Sequence, residues 1–336
     1  MKKILIMIML LFFCVPIAPS AGSQIVDPME KYTYKILRSD VQQLKRKYGD
    51  IIEVSSIGKS HFGQKLFAIR LGKGEENILM IGSHHGREWM TSSLLMKMLE
   101  EYASSYKAKE NYGKHSITLL NQVSIWFVPM LNPDGVSIQL NGIDELFFIR
   151  RWKIKKMNLG STDFTRWKAN GKGIDLNRQY PSGWKEIKQD PSVPSYQFYK
   201  GRRPLEAKET MAITNFTKKI NPTIAVAYHS SGREIFWNYK NGKNLERDFQ
   251  IAKKVSEVTR YQLSKPPKKA TGAGYTDWFI TSFHLPAMTI EICPKIKETN
   301  PPLTIFKEEW ERNKYVGLLL ANEALNIKQN QVGGKR

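Results

Sequence analysis

Short apolar runs alternate with longer amphipathic segments along this chain, and this alternation restricts its fold more than any other feature. The runs 77–81, Val123–Val128, 223–228 and Ala287–Ile292 have the length and composition of strands buried inside a sheet. Further strands are predicted at 51–57 and 66–71, and helices at 34–48, 91–106, 205–219, 245–263 and 306–327. This order predicts an α/β fold in which a largely parallel or mixed sheet is flanked by helices.

The length and composition indicate one catalytic-sized domain. The chain has 336 residues, of which 41% are hydrophobic, so a sizeable core can form. We find no internal repeat and no linker, although residues 150–173 are expected to be irregular and basic. A single domain is therefore predicted over 28–327, followed by a polar, frayed tail over 328–336.

The first residues have the pattern of a secretory signal peptide. Lys2 and Lys3 precede an apolar run over 4–15, and small residues follow. The run is shorter than the roughly 20 apolar residues that span a bilayer, so we expect cleavage near residue 22, with an uncleaved anchor as the alternative. A secreted or cell-wall-associated protein is expected. Only Cys293 lies outside this segment, which excludes an internal disulfide in the mature chain.

The charge of the chain favours polyanionic surroundings. There are 52 Lys and Arg residues against 31 Asp and Glu, a formal charge of +21. Export would argue against nucleic acid as a partner and leave anionic lipid or an acidic cell-wall polymer, of which we expect the cell wall. Basic clusters at 150–156, 200–203 and 265–269 keep a cationic cell-wall-binding protein open as a non-enzymatic alternative.

Chemically active side chains follow the predicted strands. His85 and Glu88 come after the run 77–81, His229 follows 223–228, and Glu291 lies in Ala287–Ile292. Ligands of open α/β sheets bind at the carboxyl ends of strands, and zinc accepts imidazole and carboxylate ligands. His85 and Glu88 share a face at spacing i, i+3, and His229 is the natural third ligand. In isolation a His-x-x-Glu pair is more often a surface or capping pair.

The order of several motifs is more specific. His85-Gly86-Arg87-Glu88-Trp89, Asn132-Pro133-Asp134-Gly135 and the segment 173–178 precede His229 and Glu291. In this arrangement the chain resembles the zinc carboxypeptidase family. The phrases at 82–85, 166–170 and 270–275 look like the bacterial branch that cleaves γ-D-glutamyl–diaminopimelate bonds of peptidoglycan peptides.

The resemblance implies a single-domain fold and one zinc ion held by His85, Glu88 and His229. Glu291 matches the general base that accepts a proton from the attacking water, and a carboxylate suits that task. Zinc itself supplies Lewis-acid activation. A strand-edge carboxylate is the alternative for Glu291, but such a group is costly in so apolar a segment.

Other residues match substrate-binding positions of the family. Asn177 and Arg178 match the pair that binds the terminal carboxylate of a substrate, which suits the planar fork of arginine. Asp175 matches an acid that orients a zinc-bound histidine, plausibly His85. Arg87 is expected to line the site, with a solvated arginine as the alternative.

The chain departs from the digestive carboxypeptidases of the family at several positions. Lys168 follows Trp167 where those enzymes have the arginine that polarises the scissile carbonyl, and a lysine can stabilise an oxyanion as a point charge; a solvated lysine is the alternative. Lys269 stands where a substrate-capping tyrosine is expected. Tyr275 is expected near the specificity pocket, and Thr276 at its base.

These residues predict a monomeric, secreted zinc metallopeptidase. Its expected substrate is a peptide or muropeptide with a free carboxylate, cleaved between γ-D-Glu and meso-diaminopimelate. A general metallocarboxypeptidase that releases C-terminal L-amino acids is the alternative enzyme.

Overall fold

The structure is a computed structural model that describes residues 24–144, 146–188, 191–267 and 271–333. The predicted signal peptide, over residues 1–22, lies outside the described residues, as does Lys269. No helix within the described ranges is long and apolar enough to cross a membrane.

One eight-stranded mixed sheet forms the centre of the molecule, in the order β1-β2-β4-β3-β5-β8-β6-β7. The strands β4, β3, β5 and β8 are mutually parallel neighbours, whereas β1, β2 and β6 join the sheet through antiparallel pairs. The strands span Ile52–Lys59 (β1), Lys65–Leu71 (β2), Glu76–Ile81 (β3), Val123–Val128 (β4), Ile224–Ser230 (β5), Glu234–Phe236 (β6), Gln262–Ser264 (β7) and Ala287–Ile292 (β8). The predicted mixed α/β architecture is confirmed.

Nine helices are found in the described part of the chain. They are Tyr34–Tyr48 (α1), Met90–Ala108 (α2), Pro133–Asn141 (α3), Phe148–Met157 (α4), Lys208–Ile220 (α5), Leu245–Thr259 (α6), Tyr275–Phe283 (α7), Phe306–Asn313 (α8) and Val316–Gly333 (α9). Thr33 begins α1 by accepting a hydrogen bond from the Ile36 amide, which satisfies one of the free donors of the first turn.

Helices cover both faces of the sheet and enclose two apolar layers. Because side chains alternate along a strand, Ile78 and Met80 of β3 face the layer formed with α1, α2, α6, α8 and α9, whereas Leu79 and Ile81 face α5 and α7. Burial on both faces explains why the central strands are almost continuously apolar. The layers fix the strands and thereby the residues that follow them.

The structure corrects several predicted boundaries. Residues 150–173 are not wholly irregular, because α4 covers Phe148–Met157. The helix predicted over 245–263 ends at Thr259, and Gln262–Ser264 forms the edge strand β7. The predicted helix 306–327 is divided between α8 and α9. Helix α9 continues to Gly333, so the first part of the predicted polar tail is helical.

Candidate metal centre and active site

The carboxyl ends of the parallel strands bring the candidate residues together. β3 leads through Ser83 and His84 into His85, His229 is the penultimate residue of β5, and β8 carries Glu291. In the register of the sheet His229 lies directly opposite Glu291 on the neighbouring strand, so their side chains emerge on the same face. Residues that are far apart in sequence thus meet at one sheet edge.

His85, Glu88 and His229 form a compact, buried group. His85 Nδ1 lies 2.8 Å from Glu88 Oε1, and His229 Nδ1 lies 2.9 Å from Glu88 Oε2. The two Nδ1 atoms are 3.1 Å apart. No member of the group is more than 3% exposed. All three present a potential ligand atom to one common point.

A tight turn holds the first two of these side chains. A 3₁₀ turn over Gly86–Glu88 follows His85, and Gly86 packs so closely on α3 that a β-carbon there would lie 2.4 Å from the Gly135 carbonyl oxygen. The Gly86 amide also donates to the Lys168 carbonyl at 3.0 Å. Only glycine permits this approach, which explains its place between His85 and Glu88.

The donor set fits a zinc ion. His85 Nε2 lies 3.1 Å from Asp175 Oδ1, so the ring donates its proton there and turns the lone pair of Nδ1 towards Glu88 and His229. Lone pairs at these separations repel unless a cation or a proton lies among them. Two imidazole nitrogens and one carboxylate are the ligand types that catalytic zinc uses.

The imidazoles control the ionisation of Glu88. Burial alone would raise the pKa of this carboxyl, but the nearby His85 and His229 outweigh burial and hold the pKa well below its usual range. Glu88 is therefore ionised at neutral pH, as a metal ligand must be.

Asp175 has two cationic neighbours besides His85. Lys168 Nζ lies 3.2 Å, and Arg178 Nε 3.7 Å, from its Oδ2 atom. Burial would raise the pKa of Asp175, but Lys168, His85 and Arg178 together hold it well below its usual range. The aspartate is a permanent hydrogen-bond acceptor that fixes the orientation of the His85 ring.

Glu291 differs from Glu88 and Asp175 in its protonation. Burial raises the pKa of its carboxyl to about 7, against which His229 and Lys168 act only in part. Its side chain lines a cavity of about 290 Å³ together with the three candidate metal ligands. A carboxyl group that titrates near neutrality beside a metal centre is suited to general acid–base chemistry.

The same cavity is lined by Lys168, the predicted oxyanion stabiliser, and by three of the five predicted substrate-binding residues, namely Arg87, Asn177 and Thr276. Arg87 donates to the carbonyl of Arg166 and to Gln197, which fixes its position. Asn177 accepts from the Tyr275 amide at 3.0 Å. The Thr276 hydroxyl lies 3.0 Å from that of Thr289.

Arg178 and Tyr275 do not line this cavity. Arg178 lies over the Phe198 ring, 5.0 Å from its centroid, beside Asp175. Tyr275 requires a correction: its ring is fully buried, packs edge-on against Tyr180 and at a tilt against Trp278, and its hydroxyl forms a hydrogen bond with that of Thr217. It contributes its backbone amide to Asn177 instead of a side chain to the specificity pocket.

Sequence reasoning did not identify the wall formed by 295–299. Lys295, Lys297 and Glu298 line the cavity, and Glu298 accepts a hydrogen bond from Gln197, the partner of Arg87. His84 precedes the first candidate ligand, and its Nε2 lies 3.1 Å from the Tyr180 hydroxyl. No local sequence signal identifies the long-range pair of Gln197 and Glu298.

Comparisons with known proteins agree with this geometry. The profile of the zinc carboxypeptidase family matches residues 37–315. The γ-D-glutamyl-L-diamino acid endopeptidase 1 of Lysinibacillus sphaericus is 31% identical over 89% of this chain and 74% of its own length. An uncharacterized protein of Bacillus subtilis is 33% identical over 72% of this chain and 65% of its own.

Solved structures show the same fold. Thrombin activatable fibrinolysis inhibitor superimposes with a TM-score of 0.73 at 19% identity, covering 90% of this chain and 77% of that structure. The chain therefore belongs to the zinc carboxypeptidase family and is a zinc metallopeptidase, and this family uses one zinc ion.

Proposed function

We propose that this zinc metallopeptidase hydrolyses the amide bond between γ-D-Glu and meso-diaminopimelate in peptidoglycan peptides. The observation that carries the proposal is the 31% identity to a γ-D-glutamyl-L-diamino acid endopeptidase over 89% of the chain. A complete set of candidate metal ligands and a base at one sheet edge supports it.

Each residue of the site has a distinct task in this reaction. His85, Glu88 and His229 would hold zinc, which supplies Lewis-acid activation of water and carbonyl when bound. Glu291 accepts the proton of the attacking water and delivers it to the leaving amine, a task for which a pKa of about 7 is favourable. Asp175 keeps the His85 ring in the ligating tautomer.

In this proposal Lys168 stabilises negative charge on the scissile carbonyl oxygen. Its ammonium lines the cavity, while Asp175 and the face of Phe198 hold it in position. A lysine offers a point charge instead of the bidentate fork of arginine, which constrains the orientation of the carbonyl less.

The cavity suits a substrate that carries several carboxylates. Arg87, Lys168, Lys295 and Lys297 distribute positive charge around it, and Asn177 adds an amide. Thr276, at the predicted pocket base, is neither acidic nor large and apolar, so it favours neither a basic nor a bulky hydrophobic terminal residue. Diaminopimelate linked to D-Glu presents carboxylates on both sides of the scissile amide.

We further propose that the protein acts outside the cytoplasm, bound to or released near the anionic cell wall. The basis is the signal-like segment over residues 1–22 and the formal charge of +21. Determination of the N-terminal residue of the protein from culture fluid and from washed cells would test this. An intact Met1 in a cytoplasmic fraction alone would contradict it.

A defined peptide assay tests the reaction. The zinc-loaded protein is incubated with L-Ala-γ-D-Glu-meso-diaminopimelate, and mass spectrometry should detect L-Ala-D-Glu and free diaminopimelate. Two matched controls are the α-linked L-Glu peptide and an ordinary peptide with an apolar C-terminal residue. Preferential release from either control would replace the proposal with a general carboxypeptidase, and activity that survives zinc chelation would refute the mechanism.

A further inference from the structure

Helix α4 and the residues around it expose a cluster of large apolar side chains, whereas exposed apolar residues on a protein surface are usually scattered singly. Six large apolar side chains in and around it are between 59% and 82% exposed. We call them the α4 apolar cluster: Phe147, Phe148, Ile149, Trp152, Leu159 and Val193. Contiguous exposed apolar surface of this kind marks a site of interaction.

Cations are interleaved with this cluster. Within Phe148–Met157 there are five basic residues and no acidic one: Arg150, Arg151, Lys153, Lys155 and Lys156. Arg150 lies over the Phe62 ring, and Arg151 donates to the backbone carbonyls of Leu146 and Asp144. No carboxylate among the described residues forms an ion pair with any of the five, although Arg150 and Lys156 lie over the rings of Phe62 and Trp152. All five side chains are exposed to solvent.

Helix α4 packs against the rest of the protein through a single buried residue. Ile154 alone is buried in α4, within a small apolar group that includes Phe164 and Trp167. Beside it lies an apolar concavity of about 910 Å³, lined by Phe62, Trp152, Met157 and Pro194 among others. The remaining turns of α4 therefore present both their apolar and their basic side chains to the outside.

We propose that the α4 apolar cluster and its five cations dock the protein onto an anionic lipid bilayer. This inference goes beyond the proposed peptidase reaction. Aromatic and aliphatic side chains interleaved with Lys and Arg are the composition of helices that lie in the bilayer interface, where the apolar groups enter the acyl boundary and the cations meet lipid phosphates.

A bilayer explains this surface better than a soluble polyanion does. A hydrophilic cell-wall polymer would engage the cations but would leave Phe147, Phe148 and Ile149 in water. A bilayer removes those side chains from water and neutralises the cations at once. The two contributions can be separated experimentally, because the apolar and basic residues occupy different positions of the same helix.

The docking surface is connected to the active site by a short chain of contacts. Ile154 belongs to the same apolar group as Trp167, and the Lys168 carbonyl accepts from the Gly86 amide beside the metal ligands. The surface thus adjoins the segment that carries Lys168 without sharing a residue with the cavity.

Co-sedimentation with vesicles tests the proposal. The full protein is mixed with vesicles of phosphatidylcholine alone or of equal parts phosphatidylcholine and phosphatidylglycerol, at two salt concentrations. We expect binding to the anionic vesicles that weakens with salt. The double variant Phe148→Ser/Trp152→Ser should lower the partition coefficient at least about tenfold, and Lys153→Gln/Lys155→Gln about 30-fold.

Matched controls come from the opposite end of the sheet, where α6 packs beside β7. Leu245→Ser replaces another exposed apolar residue, and Lys243→Gln/Lys253→Gln removes two exposed cations. These variants should bind vesicles within about twofold of the unmodified protein. All variants should cleave a soluble peptide at unchanged rates, since none of these residues lines the cavity.

Three results would overturn the proposal. The first is absence of binding to the anionic vesicles. The second is unchanged vesicle binding by Phe148→Ser/Trp152→Ser together with equal competition by soluble polyphosphate, which would assign the surface to polyanions in general. The third is a dimer, detected by light scattering, that the same double variant converts to a monomer while vesicles bind neither form.

Discussion

The candidate metal site, at the carboxyl ends of the parallel strands (below, the edge), and helix α4 both depart from the usual rule that polar residues are exposed and apolar residues buried, but in opposite ways. At the edge, His85, Glu88, Asp175 and His229 are polar groups that are almost wholly buried. On α4, by contrast, aromatic and aliphatic side chains are exposed to solvent. Burial of a polar group costs free energy unless the group has a hydrogen-bond or ionic partner, and an exposed apolar patch promotes association. Each exception therefore indicates a function: chemistry at the edge and attachment on the helix.

Substitutions in the two regions should change different measurable properties of the protein. Changes at the edge should alter activity and metal affinity, because each buried donor has a defined partner. Changes on α4 should alter attachment and leave the fold and the soluble reaction unchanged. Of the four predictions below, ordered from the largest expected effect to the smallest, three test that separation and one tests a buried carboxyl outside both regions.

Glu291→Gln should have the largest effect. Loss of the group that accepts the proton should lower kcat by about 10³- to 10⁴-fold, near the upper range for general acid–base catalysis. Zinc content and the melting temperature should stay close to those of the unmodified protein, because the amide is of similar size. Metal analysis alongside steady-state kinetics checks both, and equal loss of zinc and activity would show that Glu291 acts through the metal ligands instead.

Asp134 provides a buried carboxyl without the cations that surround Asp175. It accepts hydrogen bonds from the Ser60 hydroxyl and the Phe62 amide, and burial, with Glu209 nearby, raises its pKa to about 7. The folded state then binds the proton more tightly than the unfolded state, whose pKa is near the ordinary 3.8. This contribution to stability is complete below pH 4 and is lost as the pH rises to about 7.

Asp134→Asn should remove that pH dependence. The free energy of unfolding of the unmodified protein, relative to the variant, should fall by a few kcal/mol, on the order of 1.4 kcal/mol per pH unit at most, between pH 4 and 7. Urea denaturation at several pH values measures it. A difference that rises with pH would mean that Asp134 is stabilised as the anion, like Asp175.

Asp175→Asn should weaken zinc binding by about 10- to 100-fold. The amide can no longer accept the Nε2 proton of His85 as an anion, and Lys168 and Arg178 lose their shared counter-ion. Competition with a chromogenic chelator measures the affinity. Lys168→Gln is the matched control, since it removes one neighbour of Asp175 but leaves the bond to His85; an equal loss of affinity in both variants would contradict a role through His85.

Phe148→Ser/Trp152→Ser should have the smallest effect on the fold. Exposed side chains contribute little packing, so the free energy of unfolding should change by less than about 0.5 kcal/mol. Ile154→Ala, which empties the single buried position of α4, should cost about 2 kcal/mol or more locally. Hydrogen exchange of the α4 amides distinguishes the two, and similar exchange in both variants would show that α4 does not depend on Ile154.

The accuracy of the sequence predictions follows burial. Val123–Val128 was predicted to its ends because all of its residues are buried on both faces, which gives a continuous apolar run. Helix α4 was missed because one residue in ten is buried, so no apolar stripe marks it. The strand Gln262–Ser264 was assigned to the preceding helix because three edge residues carry almost no pattern.

The residues of the candidate site also fall into those that could be predicted from the sequence and those that could not. His85, Glu88, His229 and Glu291 could be proposed because they lie after or near the ends of recognisable strands and because the order of motifs resembles the zinc carboxypeptidase family. The bond from Gln197 to Glu298 joins two irregular segments that only the folded chain brings together. The position of Tyr275 was misassigned because a buried ring and a pocket residue look alike in sequence.

The order of the strands along the chain also determines when the residues of the site are synthesised. The candidate metal ligands all precede β8, whereas Glu291 lies on β8, which is inserted between β5 and β6. A chain synthesised from its N-terminus therefore acquires its metal donors well before its base. Hydrolysis therefore requires the last strand of the sheet, because that strand carries the group that moves the proton.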